Sequence, residues 1–296
     1  MLSSKTILIT GASQGIGYLT AKALAQNGHH VYASMRDIKE RNESAAKDLS
    51  AWSKMNNANL YPIELDVTNN QSIQIAIDKI ESKHSLDVLI NNAGIMPTGL
   101  TEAYTIEQAK DCFDVNLFGI MRTNRAVLPF MRERKSGLII NLSSTAGRLA
   151  IPFFGIYCAS KWAMEAYCET MHYELEPFGI DSLLVEPSGH GTKLVETSPA
   201  PKDTKCIQSY GDVSKGREKL LNMFQTMFEQ QDPSTDANNV AQKIIELVEE
   251  PNRRTLRTEV GQDMGVSAIN QAVAPLQANL IGQLKNVYNT GHEVTI

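Results

Sequence analysis

The sequence contains little cysteine and no long apolar run. No two of its four cysteines are spaced as C-x-x-C; they are Cys112, Cys158, Cys168 and Cys206. This pattern argues against a disulfide framework and against a metal site, and it is typical of a reducing compartment such as the cytoplasm. No apolar run reaches the roughly 18 residues that a membrane-spanning helix needs, so no membrane span is expected.

The sequence also has no excess of positive charge. Its 28 lysines and arginines are outnumbered by 33 aspartates and glutamates, which gives a formal net charge of −5. Because no basic patch dominates, nucleic-acid binding is not expected. Hydrophobic residues make up 42% of the 296 positions, as in a globular protein with a substantial core. No repeat or shift of composition marks a second domain, so residues 1–296 are predicted to form a single domain.

Strand-like and helix-like segments alternate along most of the chain. Apolar runs predict strands at 5–10, 30–35, 59–65, 86–91, 137–143, 180–186 and 255–260. Helical spacing predicts helices at 16–27, 37–55, 69–83, 104–131, 157–176 and 235–249. This alternation predicts an α/β fold in which a parallel sheet of about seven strands is doubly wound, with helices covering both faces.

Two regions fall outside the alternation. The segment 188–233 ends in an amphipathic helix whose apolar face is formed by Leu220, Leu221, Phe224, Met227 and Phe228. The tail 262–296 also has helical spacing and is predicted to be a C-terminal helical extension. We expect Pro275 to divide this extension into two helices, because proline cannot donate a helical hydrogen bond.

A glycine-rich turn joins the first predicted strand to the first predicted helix. It spans residues 10–17 and carries Gly11, Gly15 and Gly17. Glycines allow a tight turn and a close approach of the backbone, while the helix N-terminus offers free N–H groups and a partial positive charge. The turn therefore predicts a binding site for the pyrophosphate of a dinucleotide. An ordinary strand–helix corner is the alternative for this motif taken alone.

A second motif predicts acid–base chemistry. Tyr157 and Lys161 are four residues apart on a predicted helix and therefore share one face. A cation beside a phenol stabilises the phenolate and is expected to lower the tyrosine pKa toward neutrality. Ser144 follows the apolar strand 138–142, and the carboxyl ends of parallel strands face the ligand crevice. The three side chains are thus expected to meet, with Tyr157 as a general acid or base.

At this point the sequence resembles the short-chain dehydrogenase/reductase family over about residues 5–261. The resemblance is carried, in the family's order, by Thr10-Gly11-x-x-x-Gly15-x-Gly17, Leu65-Asp66-Val67, Asn91-Asn92-Ala93-Gly94, Val115-Asn116, Asn141-Leu142-Ser143-Ser144, Tyr157-x-x-x-Lys161 and Glu186-Pro187. It implies a Rossmann-type doubly wound sheet and an NAD(P)-dependent oxidoreductase acting on CH–OH or carbonyl groups. One departure is Ser188, because members of the family usually have glycine after the proline.

The resemblance implies a role for each catalytic position. Tyr157 would exchange a proton with the substrate oxygen, and Ser144 would orient the carbonyl. Lys161 would lower the pKa of Tyr157 and bind the nicotinamide ribose. Asn116 would hold a water in a proton relay, although tying down a helix bend is a compatible alternative. The predicted cofactor-binding residues are Gly11, Ser13, Gln14, Gly15, Ile16, Gly17, Arg36, Asp66, Val67, Asn92, Ala93, Gly94, Tyr157, Lys161, Pro187, Ser188, Gly189 and Thr192.

The end of the second strand bears on the choice between NADP and NAD. An acidic residue there would bind the ribose 2′-hydroxyl and repel a 2′-phosphate. The aligned position is Met35, and Arg36 follows it and could hold a phosphate. Asp37 lies slightly too late in the sequence and is interpreted as a helix cap. NADP is therefore favoured over NAD.

The substrate is expected to be a lipophilic carbonyl or alcohol. Segment 193–231 is predicted to be a mobile lid over an apolar pocket, with Met223 beside the apolar face named above. The opposite wall would be formed by Met96, Leu149, Phe153 and Phe154. Simple packing of this segment on the core is the alternative.

Two further expectations concern function and assembly. A non-catalytic NAD(P)-binding regulatory protein is the alternative function, and a nucleotide-sugar epimerase fits the glycine spacing poorly. The family commonly pairs its long helices across two-fold axes, which implies a homo-dimer or homo-tetramer built on 107–131 and 157–176. The identity of the substrate and the direction of the reaction do not follow from the sequence.

Overall fold

The computed structural model describes residues 3–288 and is built around a seven-stranded sheet. The strands lie in the order β3-β2-β1-β4-β5-β6-β7, and all neighbouring pairs are parallel. Their bounds are β1 Thr6–Ile9, β2 His30–Met35, β3 Leu60–Glu64, β4 Val88–Asn91, β5 Gly137–Leu142, β6 Ile180–Pro187 and β7 Arg257–Val260. The predicted doubly wound α/β fold is thereby confirmed.

The helices complete the fold. They are α1 Gly15–Gln26, α2 Glu43–Met55, α3 Asn70–Glu81, α4 Ile106–Phe113, α5 Gly119–Arg134, α6 Gly155–Leu175, α7 Lys193–Glu196, α8 Thr204–Ser209, α9 Gly216–Glu229, α10 Ala237–Glu249 and α11 Val266–Tyr288. The chain builds the sheet outward from β1 to β3 and then returns to place β4 beside β1. Such a reversal opens a crevice at the carboxyl ends of the strands.

Apolar side chains on both faces of the central strands explain why these runs form buried strands. Successive residues of a strand point to opposite faces, and Ile7, Leu8 and Ile9 of β1 are all fully buried. Ile7 and Ile9 pack in the core layer that includes residues of α1 and α10, whereas Leu8 packs in the layer that includes residues of α3 and α5. The two layers hold the strand ends, and the side chains that follow them, in fixed positions.

Two predicted helices differ in detail from the structure. The helix expected over 104–131 begins at Ile106 behind a Thr105–Gln108 capping box and contains a π-helical turn, Asp114–Phe118, between α4 and α5. The helix expected from residue 37 begins at Glu43, because residues 37–42 form a turn in which Asp37 has a φ of +50°. Asp37 is therefore not the cap of α2, and that interpretation was wrong.

The C-terminal extension also differs from the prediction. α11 is one continuous helix from Val266 to Tyr288 with Pro275 inside it, so the expected division at Pro275 was wrong. Proline has a φ compatible with a helix and removes only one hydrogen-bond donor, and at this exposed position the helix continues through it. The remainder of the predicted extension, 289–296, lies outside the described residues. Within residues 3–288, every helix is too short or too polar to cross a bilayer.

Candidate active site

A cleft of about 1250 Å³ lies at the carboxyl ends of the strands, at the crevice between β1 and β4. The structure brings most of the predicted site residues to this cleft. Those that line it are Gly11, Ser13, Gln14, Gly15, Ile16, Arg36, Asp66, Val67, Asn92, Ala93, Gly94, Ser144, Tyr157, Lys161, Pro187, Ser188, Gly189 and Thr192. Gly17 and Asn116 are predicted site residues that lie behind its wall.

The glycine turn has the geometry that a pyrophosphate site requires. Gly11 and Gly15 have φ values of +67° and +58°, which side chains rarely adopt. A Cβ at Gly11 would also lie 2.8 Å from the Cα of Ala93. The Gln14 side chain makes no capping hydrogen bond at the start of α1, so the first N–H groups of the helix are available to an anion. The turn therefore fits the phosphates of a dinucleotide.

Gly17 has a packing role in the structure. A Cβ there would collide with the side-chain amide of Asn92. That amide donates hydrogen bonds to the carbonyl oxygens of Thr10 and Gly11 at 2.9 and 3.0 Å. Gly17 thus lets α1 approach the end of β4 and keeps the glycine turn in place, and it has no direct contact with the cleft.

Two arginines stand at the far end of the cleft, beyond β2. Arg36 and Arg41 both line it, whereas Asp37 does not. The N–H groups of Asp37 and Ile38 donate to the carboxylate of Glu64 at 2.9 and 2.8 Å, which fixes the loop. Sequence reasoning missed Arg41. The sequence does show a second basic residue five positions after Arg36. Whether its side chain faces the cleft depends on the turn over 37–42, which the sequence did not predict.

The three predicted catalytic side chains meet in the middle of the cleft. Tyr157 lies in the first turn of α6 and is only 6% exposed. Ser144 follows β5 and its Oγ accepts a hydrogen bond from the Ala146 N–H at 3.1 Å. The Nζ of Lys161 donates to the carbonyl oxygen of Leu142 at 2.6 Å and lies 5.9 Å from the centre of the Tyr157 ring.

Burial controls the titration of this group. It raises the pKa of Tyr157, while a hydrogen bond between the Tyr157 and Ser144 hydroxyls acts in the opposite direction. Burial lowers the pKa of Lys161 to about 8, against the charge of Glu165, which raises it. The sequence-based expectation of a lowered tyrosine pKa therefore has the wrong sign in this structure. Spacing places a cation near the phenol, but the loss of solvation on burial is the larger effect.

Asn116 lies in the π-helical turn and is fully buried. Its side-chain amide accepts from the N–H of Ile95 and donates to the carbonyl oxygen of the same residue, both at 2.9 Å. It also donates to the Oγ of Ser160 at 3.0 Å. The side chain thus ties the helix bend to the loop after β4, which is the structural alternative stated for it, and the proton relay stays a prediction.

The unusual Ser188 links the cleft to the C-terminal extension. Its Oγ accepts a hydrogen bond from the N–H of Gln262 at 2.9 Å, and its carbonyl oxygen accepts from the Nδ1–H of His190 at 3.0 Å. Gly261 has a φ of +95°, and a side chain there would collide with the Ser188 hydroxyl. Sequence reasoning treated Ser188 as a departure and missed this link, because its partner is far away in sequence.

Apolar side chains form the other end of the cleft. Its lining includes Met96, Ile151, Phe154, Leu194, Val195, Leu220, Met223, Phe224, Met227 and Phe228. The rings of Phe154 and Phe224 meet edge to face at 6.1 Å between centroids. Two residues expected on this wall, Leu149 and Phe153, do not line it. The backbone at Phe153 has a φ of +67°, and its ring packs against Gly216 instead.

Comparisons with known proteins agree with this geometry. A family model described as short chain dehydrogenase matches residues 5–203. The chain is 36% identical over 212 residues to the 3-ketodihydrosphingosine reductase of Bacteroides thetaiotaomicron, covering 71% of this chain and 73% of that protein. It is 30% identical over 283 residues to the uncharacterised oxidoreductase YusZ of Bacillus subtilis, covering 94% and 96%.

A solved structure shows the same arrangement over almost the whole chain. A short-chain dehydrogenase from Streptomyces avermitilis superimposes with a TM-score of 0.75 at 30% identity, covering 97% of this chain and 98% of that one. The sheet order, the cleft and the matched residues lead to one assignment. The chain belongs to the short-chain dehydrogenase/reductase family, whose members are NAD(P)-dependent oxidoreductases that act on carbonyl and alcohol groups.

Proposed function

We propose that the protein is an NADP-dependent oxidoreductase that interconverts a carbonyl and an alcohol on a lipophilic small molecule, with Tyr157 as the general acid and base. The observation that carries the proposal is the shape of the cleft, which joins arginines at one end to an apolar pocket at the other through Ser144, Tyr157 and Lys161. A cytoplasmic location is part of the proposal and is supported by four unpaired cysteines.

The buried side chains account for the proton chemistry. The nicotinamide, when bound, supplies or receives the hydride. Because burial raises its pKa, Tyr157 holds its proton at neutral pH and can donate it to a carbonyl oxygen during reduction. Ser144 shares a hydrogen bond with that phenol and would orient the carbonyl. Lys161 is a cation below about pH 8 and would stabilise the phenolate that remains.

The preference for NADP rests on the loop after β2. Arg36 and Arg41 line the cleft, and the only carboxylate expected to bind a ribose hydroxyl, Asp37, lies outside the lining. Guanidinium groups bind phosphate through paired N–H donors, so the loop suits a 2′-phosphate. The backbone around it is held by Glu64, which occupies its carboxylate with two N–H groups.

The lipophilic substrate is inferred from the apolar end of the cleft. Aromatic rings and methionines lie beside the hydroxyl groups of Ser144 and Tyr157, so an apolar molecule bound there would lose water from much of its surface. A relative named for 3-ketodihydrosphingosine fits the same class. The test is a screen of apolar ketones, polar sugars and hydroxy acids with NADPH and NADH. Activity restricted to the polar compounds would contradict the proposal.

We further propose that residues 193–231 act as a lid and that Arg217 helps to hold its helix α9 against the body. The Arg217 guanidinium donates to the carbonyl oxygen of Thr98 in the body at 2.7 Å, which ties α9 to the body, and to that of Ser198 within the segment at 3.1 Å. No residue of α9 is fully buried, as suits a segment that can move. Limited proteolysis with and without NADPH tests this: cleavage within 193–231 should be prominent and should decrease on binding. Cleavage elsewhere, indifferent to NADPH, would make the segment a fixed element.

Self-association into a dimer or tetramer completes the proposal. Two large apolar side chains are exposed: Phe118, in the π-helical turn before α5, at 44%, and Trp162, on α6, at 49%. Burial of such side chains between subunits would be favourable. Light scattering at micromolar concentration should show a dimer or tetramer, and a monomer would contradict this part of the proposal.

A further inference from the structure

A buried cluster of acids and arginines lies behind the proposed catalytic serine. Its centre is Arg257 on β7, whose Nε lies 3.1 Å from a carboxylate oxygen of Glu165 and 3.3 Å from one of Glu186. Another nitrogen of the same guanidinium lies 2.6 Å from Glu169. Glu165 is 3% exposed and Glu186 is fully buried. Since burial of charge is costly, such a cluster needs a complete set of partners to hold one arrangement.

The cluster joins the elements that carry the site. Glu165 lies on α6, one helical turn after Lys161, and Glu186 immediately precedes Pro187 of the cleft. Gly147, in the turn that begins with Ser144, packs directly on the cluster. A Cβ there would lie 3.2 Å from an oxygen of Glu165. A shift in the cluster would therefore displace both the serine turn and the loop that starts at Pro187.

The C-terminal helix closes the cluster through one residue, Asn270 on α11. Its Nδ2 donates to Glu186 at 2.7 Å and to Glu259 at 2.8 Å. Its Oδ1 accepts from the Nε of Arg148 at 2.8 Å, just after the serine turn. Asn270 lies outside residues 5–203, the part of the chain that the family model matches. The match to the family therefore does not account for its contacts.

We propose that Asn270 is a positioning residue, which couples α11 to the active site. It holds the serine turn, through Arg148, and the nicotinamide loop, through Glu186, in their working arrangement, where the nicotinamide loop is the segment 187–192 beside which the nicotinamide would bind. This inference rests on the proposed function, in which the loop 187–192 is part of the cofactor site. α11 therefore supports the active site, and the protein needs this helix to bind the complete dinucleotide tightly.

The amide is the group that these neighbours require. It both donates and accepts, so it serves two carboxylates and one guanidinium at once. An aspartate at this position would keep the bond to Arg148 but would lose the bonds donated to Glu186 and Glu259, and it would face Glu259 with a like charge. An alanine would leave a buried oxygen of Glu186 without its donor, and such a loss costs more than an exposed hydrogen bond.

The test compares a complete ligand with one of its halves. Calorimetry would measure the dissociation constants of NADPH and of 2′,5′-ADP, which carries only the adenosine end and does not reach the nicotinamide loop. The variants are Asn270→Ala and Asn270→Asp. Gln271→Ala is the matched control, because Gln271 is exposed on the same helix and its side chain donates to Ser267 of that helix. Thermal unfolding would show that each variant is folded.

The expected result is selective. Asn270→Ala should weaken NADPH binding by about fivefold, and Asn270→Asp by more, while 2′,5′-ADP binding stays unchanged and Gln271→Ala changes neither. In Asn270→Asp, adding Glu186→Gln should recover part of the NADPH affinity, because donor and acceptor exchange places. Equal changes for both ligands, no change for either, or no recovery in the double variant would overturn the proposal.

Failure of the proposed function would look different. If the wild-type protein converts no carbonyl compound, the proposed activity falls while the ligand comparison still decides the role of Asn270. If NADH binds in preference to NADPH, the same comparison is made with NADH and AMP. A selective loss for the complete dinucleotide then supports the inference, and a uniform effect overturns it.

Discussion

The two ends of the cleft are built in different ways. The dinucleotide end is made by backbone turns within β1–α1 and at the ends of β4 and β5, and the strands that lead into these turns are buried in the sheet. The apolar end is made by side chains that come from several elements, and five of them lie on α9, a helix without a fully buried residue: Leu220, Met223, Phe224, Met227 and Phe228. The cofactor end is therefore specified by short contiguous motifs, whereas the substrate end depends on how the segment that carries α9 folds over it.

The largest effect is expected at Tyr157, which lies between the two ends of the cleft. Tyr157→Phe should lower kcat at least about a hundredfold, because the proposed proton donor is lost while the ring that fills the space remains. NADPH affinity, measured by calorimetry, should stay within a factor of two or so of the wild type, since the glycine turn and the arginines are untouched. A variant that keeps more than a few per cent of kcat would contradict the assignment.

The second prediction isolates the dinucleotide end. Arg36→Ala combined with Arg41→Ala should weaken NADPH binding by roughly tenfold to a hundredfold through loss of charged hydrogen bonds, while NADH binding barely changes. Lys39→Ala is the matched control, because Lys39 is exposed on the same loop and does not line the cleft. Equal affinities of the wild type for the two cofactors would show that these arginines do not select NADP.

The third prediction concerns pH and the centre of the cleft. Burial lowers the pKa of Lys161 from its ordinary value to about 8, so its positive charge is present below that pH and is lost as pH rises through it. The rate of carbonyl reduction should therefore be level below about pH 8 and fall about tenfold per unit above it. Lys161→Arg keeps its charge over this range. We expect this variant to reduce the carbonyl more slowly, with no fall in rate above about pH 8. The same alkaline fall in Lys161→Arg would contradict the role of Lys161.

The smallest expected effect lies at the substrate end. Phe224→Ala should raise KM for an apolar ketone by about tenfold, because it removes apolar contact area from the pocket, while the NADPH dissociation constant stays unchanged. Leu221→Ala is the control, since Leu221 is on the same helix but does not line the cleft. If the two variants had the same KM, the side chains of α9 would act by packing alone, and this result would contradict the proposed role of α9 in the substrate pocket.

Contiguous patterns explain what the sequence could predict. The strand runs and the glycine turn identified the fold and the cofactor end, because each depends on neighbours in sequence. The position of Tyr157 beside Lys161 followed from helical spacing alone. The sign of the tyrosine pKa did not follow, because it depends on burial by side chains from other elements.

Features that depend on distant partners were not predictable. Arg41 reaches the cleft through a turn that Glu64, 23 residues away, holds in place. Ser188 and Asn270 bridge residues more than seventy positions apart. Pro275 is the opposite case. It is a strong local signal for a break in the helix, but α11 continues through it.

The role of Tyr157 in an NADPH-dependent reduction can be measured by following the conversion of an apolar ketone, with the alcohol identified by mass spectrometry, in the wild type and in Tyr157→Phe. The account predicts one alcohol formed for each NADPH consumed by the wild type, little reaction with NADH, and loss of product in the variant although NADPH still binds. Equal turnover by both proteins, or reduction of polar carbonyls alone, would contradict it.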